Sequence, residues 1–337
     1  MLRPVRRLLI ALGGLIALAA ISDTAAWFWL TRRIEAGADD WMAALRAEGW
    51  TIDAGSMQRG GWPFAAEIIL PDVTVASGGP GGANGVSWSV PRVRLQLSPV
   101  RPRTLLAVFE GSQRVRIGTS PPVALDAARM TAAVSMVDSS EPVVLTAVAL
   151  RAEAAGQMAE LARMTARILP NAIDLQAAGI DLPHGIQWPF AAAVSAAAVT
   201  VRLEGVVPAA ADLPRRIAGW RDGGGRLVIQ QASARWGALD AAGSGTFTLD
   251  GALQPRAEGV ADIANYPGAI AALTQSGALR PNDARVASTL LGLLARTPAG
   301  GQPEVNLPFT VRDGLLSVGN FPVARIPALA WGSASGG

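Results

Sequence analysis

Few side chains in this sequence could carry chemistry, and their types exclude most of it. His184 is the only histidine, cysteine is absent, and all 29 basic residues are arginine. Thiol nucleophiles, cysteine-rich zinc sites and redox dithiols are therefore impossible. So are a P-loop, a kinase strand lysine and a Schiff base, each of which needs a lysine amine. A Ser-His-Asp triad or a histidine metal site would have to lean on His184. That residue sits in Leu182-Pro183-His184-Gly185, a proline–glycine loop with no nucleophile motif beside it, which reads as a solvated turn. Paired carboxylates need only the right geometry for acid–base work. Here, however, most acidic residues fall on helix faces or in Asp-Gly turns such as those at Asp222, Asp250 and Asp313, and no spacing resembles a calcium loop. Gly223-Gly224-Gly225 follows a helical segment and precedes a strand, the wrong order for a helix N-terminus to hold phosphate. Gly243-Ser244-Gly245 precedes a strand-like run and reads as a hairpin turn. The residues thus point to no catalytic, metal or cofactor site and to a non-enzymatic protein.

The elements say more than the polar residues do. The apolar run Leu8–Leu30 follows Arg3, Arg6 and Arg7 and is followed by Arg32 and Arg33. As a helix it measures roughly 34 Å at about 1.5 Å per residue, enough for a hydrocarbon core of about 30 Å. Two readings compete for it. Leu8 to Ile21 has the length of a signal-peptide core with small residues after it. Trp27-Phe28-Trp29 closes the run with aromatic rings of the kind that favour a membrane–water interface. The rings favour an uncleaved anchor over residues 1–33, with Trp27, Phe28 and Trp29 as membrane-interface residues. The arginine balance favours a cytoplasmic N-terminus and an exported body, an inner-membrane protein with residues 34–337 in the periplasm. The net charge of +3 comes without an arginine block, so nucleic acid is not an expected partner.

Ile34 to Glu48 keeps helical spacing, with Ile34, Trp41, Ala44 and Leu45 on one face. Beyond it the period becomes two. Val86, Trp88 and Val90 alternate with serines. Val93, Leu95 and Leu97 alternate with Arg92, Arg94 and Gln96, and Val115 and Ile117 with Arg114 and Arg116. Such segments are strands with one wet and one apolar face. The texture returns at Leu227–Ile229, Thr246–Leu249 and Val305–Val311, with Gly/Pro punctuation such as 77–82 between strands. Helices are expected at Gln157–Leu169, Asp212–Trp220, Tyr266–Ser276 and Asn282–Arg296. The fold class is α+β and strand-dominated: a large twisted antiparallel sheet with a few packed helices. Trp62-Pro63-Phe64-Ala65-Ala66 recurs as 188–192. It is either a strand-opening device used twice or the mark of two half-sheets, about 50–150 and 170–337.

With few helices to cover so many amphipathic strands, either the sheet curls on itself or an open apolar trough remains, and an open trough would mark a binding groove. Its candidate lipid-contacting residues are Val93, Leu95, Leu97, Val115, Ile117, Leu227, Ile229, Trp236, Phe247 and Leu249. Arg92, Arg94, Arg114 and Arg116 line the polar side, as a charged solvent face or as contacts for lipid phosphates.

Trp220-Arg221-Asp222-Gly223-Gly224-Gly225, Ala234-Arg235-Trp236-Gly237, Gly245 to Asp250 and Leu253-Gln254-Pro255 occur in an order that resembles the DUF 2125 family of bacterial envelope proteins. Gly61-Trp62-Pro63-Phe64, Leu307-Pro308-Phe309 and Gly314 to Gly319 are similar too. The resemblance implies an N-terminal anchor and a β-rich periplasmic body, and brings no catalytic residues. The Gly-Thr-Phe-Thr-Leu-Asp-Gly texture is also similar to AsmA-like envelope proteins, which implies a curled sheet with a lipid-accommodating groove. The leading expectation is a membrane-anchored envelope protein that binds a lipid or acyl chain on an apolar sheet face. The alternative is an interaction protein with a covered sheet and an envelope protein partner.

Overall fold

A computed structural model describes residues 2–77, 85–98, 100–138, 140–208, 213–296, 302–319 and 321–329. Within these, side chains are described from Leu18 onward, apart from residues 19, 20, 213 and 321–324. The chain opens with helix α1 (Leu2–Ala47) and then runs through strands β1 (Thr51–Asp53), β2 (Gln58–Gly60), β3 (Ala66–Ala76), β4 (Val86–Ser98), β5 (Arg101–Glu110), β6 (Gln113–Ile117), β7 (Val123–Ser135), β8 (Val143–Ala154), β9 (Gln157–Leu169), β10 (Ala172–Asp181) and β11 (Ala193–Glu204). Helix α2 (Leu213–Asp222) precedes β12 (Arg226–Trp236), β13 (Leu239–Leu249) and β14 (Pro255–Ala264). Helices α3 (Tyr266–Gln275) and α4 (Pro281–Leu294) precede β15 (Glu304–Arg312), β16 (Leu315–Val318) and β17 (Phe321–Arg325). From β7 to β17 each strand pairs antiparallel with its predecessor. At the start, β3 receives both β1 and β2, and β4 receives both β5 and β6, which then meet β7. The ladder runs without a break from β3 across 150–170 to β17. The expected strand-dominated α+β fold is what the chain forms, as an antiparallel meander.

Two helical covers seal parts of it. The later half of α1 lays Trp27, Leu30, Ile34, Met42 and Leu45 over the apolar side of β3 and β4, successive spacings of three, four, eight and three that mark one face of a helix. Ile34 and Ile68 are the centre of this core, at 1% and 0% exposure. The buried face is rotated from the expected one: Trp41 and Ala44 point to solvent, and Met42 takes their place. At the other end, Tyr266 and Ile270 of α3 and Leu291 of α4 pack on Ile263, Val305 and Leu307.

A crease crosses the sheet from β3 to β11. Asp72 on β3, Gly111 between β5 and β6, Ala149 on β8 and Gly179 on β10 all have left-handed φ, between 49° and 86°. They stand beside or opposite Pro91, Ala128, Ala162 and Ser195 in the pairing registers. At Gly179 a Cβ would lie 2.8 Å from that of Ala162. Each such residue resets the two-residue alternation. Leu70 and Val73 are both buried, as are Val90 and Val93, and Ala147 and Leu150. Because facing strands reset together, the register is kept and the same face stays apolar.

The crease explains one sequence expectation that fails. Gln157–Leu169 is not a helix but strand β9, paired on both sides. Its apolar positions shift from Ala159 and Leu161 to Met164, Ala166 and Ile168 on passing Ala162. Leu161, Met164 and Ile168 thereby acquire the three-then-four spacing of a helix. Gly243-Ser244-Gly245 is likewise not a turn. It lies inside β13, where a Cβ on Gly243 or Gly245 would sit 2.5 Å from the carbonyl oxygens of Val260 and Glu258. The hairpin there is Gly237-Ala238. Asp250 and Asp313 do form turns: the Asp250 carboxylate accepts from the backbone N–H of Ala252 and of Gln254 at 2.8 Å, and Asp313-Gly314 has φ of 52° and 69°. The Gly/Pro stretch 78–82 lies outside the described residues.

Replacing Ala149 by valine should oppose strand propensity. A β-branched residue normally favours a strand, but at left-handed φ it is strongly disfavoured. We expect a loss of about 1–2 kcal/mol for Ala149→Val and a change within about 0.5 kcal/mol for Thr146→Val on the same strand. Urea midpoints at constant m-value measure both. Equal midpoints for the two variants would show that the crease is not strained.

Candidate functional site

The register carries one apolar row across the sheet. Ile68 faces Leu95, then come Ala107, Ala132, Leu145, Ala166, Leu175, Val199, Ala232, Gly243, Ala261 and Leu307, each paired with the next. A second row runs beside it through Val143, Ile168, Ile173, Val201, Ile229, Gly245, Gly259 and Phe309. In this row the Phe309 ring lies over the two glycines, where a Cβ on Gly259 would come within 2.8 Å of it. The opposite face reads Thr146, Thr165, Gln176, Ala198, Ser233, Ala242, Asp262 and Asn306, and there Asn306 donates to Asp262 at 2.6 Å. Two glutamines at the β12 bulge, Gln230 and Gln231, absorb the register shift between Val201 and Thr200 without turning the apolar side over.

Coverage of the apolar face is uneven. Under α1 and under α3 and α4 it is core. Between them, on β9 to β12, Met164, Leu175, Val199, Val201, Leu227 and Ile229 are half-buried, and Ile168 and Ile173 are 39% and 47% exposed. The two buried clusters include no residue of β10 to β12. This open stretch is the candidate site. Its floor is made of small side chains: Ala166, Ala177, Ala197, Ala232, Ala234 and Ala241.

The predicted contact residues divide accordingly. Val93 and Leu97 are buried beneath α1, with Leu95 packed against them, so β4 offers sealed core rather than an open surface. Val115 is half-buried beside Trp88 and Ile117 is 56% exposed, both beyond the crease. Leu227, Ile229 and Phe247 lie in or at the border of the open stretch. Leu249 is 8% exposed at its end. Trp236 is capped by the second Trp-Pro-Phe copy. Trp188 and Phe190 meet its ring edge-on at 6.1 and 5.2 Å, and its indole N–H donates to the Ala191 carbonyl at 2.7 Å. Sequence reasoning missed Met164, Ile168, Ile173 and Val199, because β9 reads as a helix and β10 and β11 are rich in alanine.

On the polar side, Arg94 reaches Glu67 at 3.1 Å and Glu110 at 2.5 Å, and Arg92 reaches Glu110 at 3.3 Å. These arginines are neutralised by the protein itself; Arg114 and Arg116 lie on β6 with exposed side chains. His184 lies in an exposed turn, and among the described residues none forms a hydrogen bond or ion pair with it. Among the described residues no cluster of His, Asp and Glu is arranged to hold a metal ion. A cleft of ≈ 540 Å³ lies at the crease, lined by alanines with Asp126, Arg151, Glu160 and Asp181. Arg151 and Glu160 already pair across it at 2.9 Å.

Helix α1 is the second feature. Its Trp27 ring is packed on the core and its indole N–H donates to the Gly60 carbonyl at 3.0 Å. Phe28 and Trp29 are 41% and 61% exposed. Further back, Leu18 and Ile21 are 62% and 66% exposed. Among the described residues no helix is long and apolar enough to cross a membrane. The start of the expected span, residues 8–17, lies outside the described side chains. Arg59 of β2 holds the helix through a two-point ion pair with Glu35 at 2.8 and 2.7 Å.

The family described as "Uncharacterized protein conserved in bacteria (DUF2125)" matches residues 27–327, and the chain belongs to this family. No curated protein and no solved structure matches the chain. The match begins at Trp27, where α1 reaches the sheet.

Glu35 supplies a pH prediction. The hydrogen bonds from Arg59 hold its carboxyl below the usual carboxylate range, against a smaller opposing effect of burial and with help from the charges of Arg59 and Arg32. A depressed native pKa stabilises the fold above the unfolded pKa, and that contribution fades as pH falls through the native value. The stability gap between the native protein and Glu35→Gln should therefore be full at pH 7 and close below pH about 4. Chemical denaturation at several pH values measures it. A gap that persists in acid would assign the loss to packing instead.

Proposed function

We propose that this protein is a non-enzymatic envelope protein, tethered in the inner membrane through the apolar run 8–30, whose last turn from Trp27 packs on the body, with that body in the periplasm, and that it accommodates lipid on the open apolar face of β9 to β12. The observation that carries the reading is the continuous apolar row, covered at both ends and open in the middle. A soluble monomer seldom leaves an apolar stretch of this extent exposed without a ligand for it. The occupant that suits it is an acyl chain. A row of alanines makes a shallow floor with aliphatic walls and no buried polar group, so nothing there would need a hydrogen-bonding ligand. Each methylene laid on it contributes about 0.8 kcal/mol when fully buried. As a tether, the arginine-flanked apolar run would hold the body beside a lipid source.

The tether is tested by fractionation. The full chain should remain in membranes washed with carbonate, and a reporter fused after Ser77 should be active only outside the cytoplasm. Extraction by carbonate would remove the tether from the proposal, and a cytoplasmic reporter would remove the topology.

The lipid is tested by mass spectrometry of the detergent-purified protein after exchange into lipid-free buffer. Phospholipid should co-purify, and Phe247→Asp at the border of the open stretch should lose most of it while circular dichroism stays unchanged. Leu97→Asp, beneath α1, should instead unfold the protein, because it leaves an unpaired charge in the core. If Phe247→Asp also unfolds the chain, or if the native protein carries no lipid, the face is sealed core and a protein partner becomes the better reading.

A further inference from the structure

We propose that the turn at 61–65 is a second membrane contact, which sets Trp62 and Phe64 into the lipid headgroup region beside the tether. This inference rests on the reading of residues 8–30 as a membrane span. Its starting point is a contrast between two identical peptides. In Trp188-Pro189-Phe190-Ala191-Ala192 both rings pack on Trp236, and Trp188 donates its indole N–H to the Pro183 carbonyl at 3.0 Å. In Trp62-Pro63-Phe64-Ala65-Ala66 the same rings point outward, Trp62 at 56% and Phe64 at 85% exposure.

The backbone that carries the outward rings is held by its own hydrogen bonds. The Phe64 and Ala65 N–H groups both donate to the Gly61 carbonyl, at 3.1 and 2.9 Å. Gly61 has φ of 83°, and a Cβ there would come within 2.5 Å of the Ala65 carbonyl oxygen. A rigid turn that presents two large rings loses little conformational freedom on binding. Its place in the molecule names the partner. Gly60, next to the turn, accepts the indole N–H of Trp27, so Trp62 and Phe64 stand near the level on α1 where Phe28 and Trp29 are exposed. Three arginines share that level: Arg32 and Arg59 lie 5.4 Å from the Phe28 ring centroid, and Arg33 lies 5.5 Å from that of Trp29. Exposed rings interleaved with guanidinium groups, at the end of an apolar helix, match the chemistry of a membrane–water interface with anionic headgroups. Two contacts on different elements would fix the tilt of the body on the bilayer, which one helix cannot do.

The absence of cysteine makes the test direct, since a single introduced thiol takes a nitroxide at one known place. The full chain carrying Phe64→Cys, Ile21→Cys or His184→Cys is labelled and reconstituted into vesicles of equal parts phosphatidylcholine and phosphatidylglycerol. Collision with oxygen and with a water-soluble nickel chelate is then read by electron paramagnetic resonance. The labels at 21 and at 64 should both favour oxygen, the label at 184 should favour nickel, and adding Trp62→Ser should shift label 64 toward nickel. If label 21 favours oxygen but label 64 favours nickel, the second contact is wrong and the tether stands. If both favour nickel, the tether reading fails and the inference falls with it. A label at 64 shielded from both reagents would mean a protein surface covers the turn, which also overturns the proposal.

Discussion

The structure depends on antiparallel register. A strand shows alternate side chains to alternate faces, so a slip of one residue between any two neighbours would turn an apolar face to water. Here the pairing from Ile68 to Leu307 places an apolar or glycine position at every step. The irregularity at Gln230 and Gln231 is local and leaves Ile229 and Ala232 on the same side. Both helical covers depend on this continuity. α1 can bury Ile34 and Met42 because β3 and β4 present Ile68, Val90, Val93 and Leu97 together. Tyr266 and Leu291 find Val305 and Leu307 for the same reason.

The crease is how strands of up to 13 residues serve one broad sheet. Broad sheets must curl or split rather than extend flat, and bulges and kinks supply the bend. A left-handed residue in one strand would reverse its alternation and break the face. Asp72 and Pro91, Ala149 and Ala162, and Gly179 and Ser195 avoid this by lying opposite each other, so that both strands of each pair reset together. The cost of an alanine at φ 49°, of order 1–2 kcal/mol, is accepted at Ala149 because the hydrogen-bond ladders on both sides over-determine it.

How much of this is legible in the sequence follows from the same geometry. Period-two alternation within Val86–Val90, within Val93–Leu97, at Leu227–Ile229 and at Thr246–Leu249 is local, and all four segments are strands. That Val86–Val90 and Val93–Leu97 are one strand is not local: the parity change at Pro91 makes sense only when Asp72 stands opposite. On β9 the same parity change imitates a helix, and the helix-favouring Ala, Met, Glu and Arg of that segment do nothing to contradict it. Pairing with β8 and β10 overrides the propensity. Of the site, Leu227, Ile229 and Phe247 are visible as strand residues. Which apolar residues are covered depends on where α1 docks, and no spacing in the strands records that. For this reason Val93 and Leu97 look identical in sequence to residues of the open stretch. The two Trp-Pro-Phe copies make the same point, since only the presence of Trp236 beside one of them distinguishes a packed ring from an exposed one.

The composition of the open stretch bears on why it can stay open. Hydrophobic gain scales with apolar area removed from water, at roughly 25 cal/mol per Å², so a face of leucine and isoleucine would gain strongly from any cover, including a second sheet edge or another chain. One row across β10 to β13 replaces those residues with Ala177, Ala197, Ala234 and Ala241, and the rows beside it keep Leu175, Val199, Val201 and Ile229 between further alanines. Alanine exposes little apolar area and loses no rotamer freedom when it is covered. The uncovered face therefore costs the free protein less than its length suggests. The flanks still provide contact for an occupant slim enough to reach the floor. A bulky protein element would touch the flanks and bridge over the alanines, leaving unfilled space that weakens its packing. The proposed hydrocarbon chain would follow the row instead. On shape alone, the small floor and larger flanks therefore suit the proposed lipid chain better than a helix.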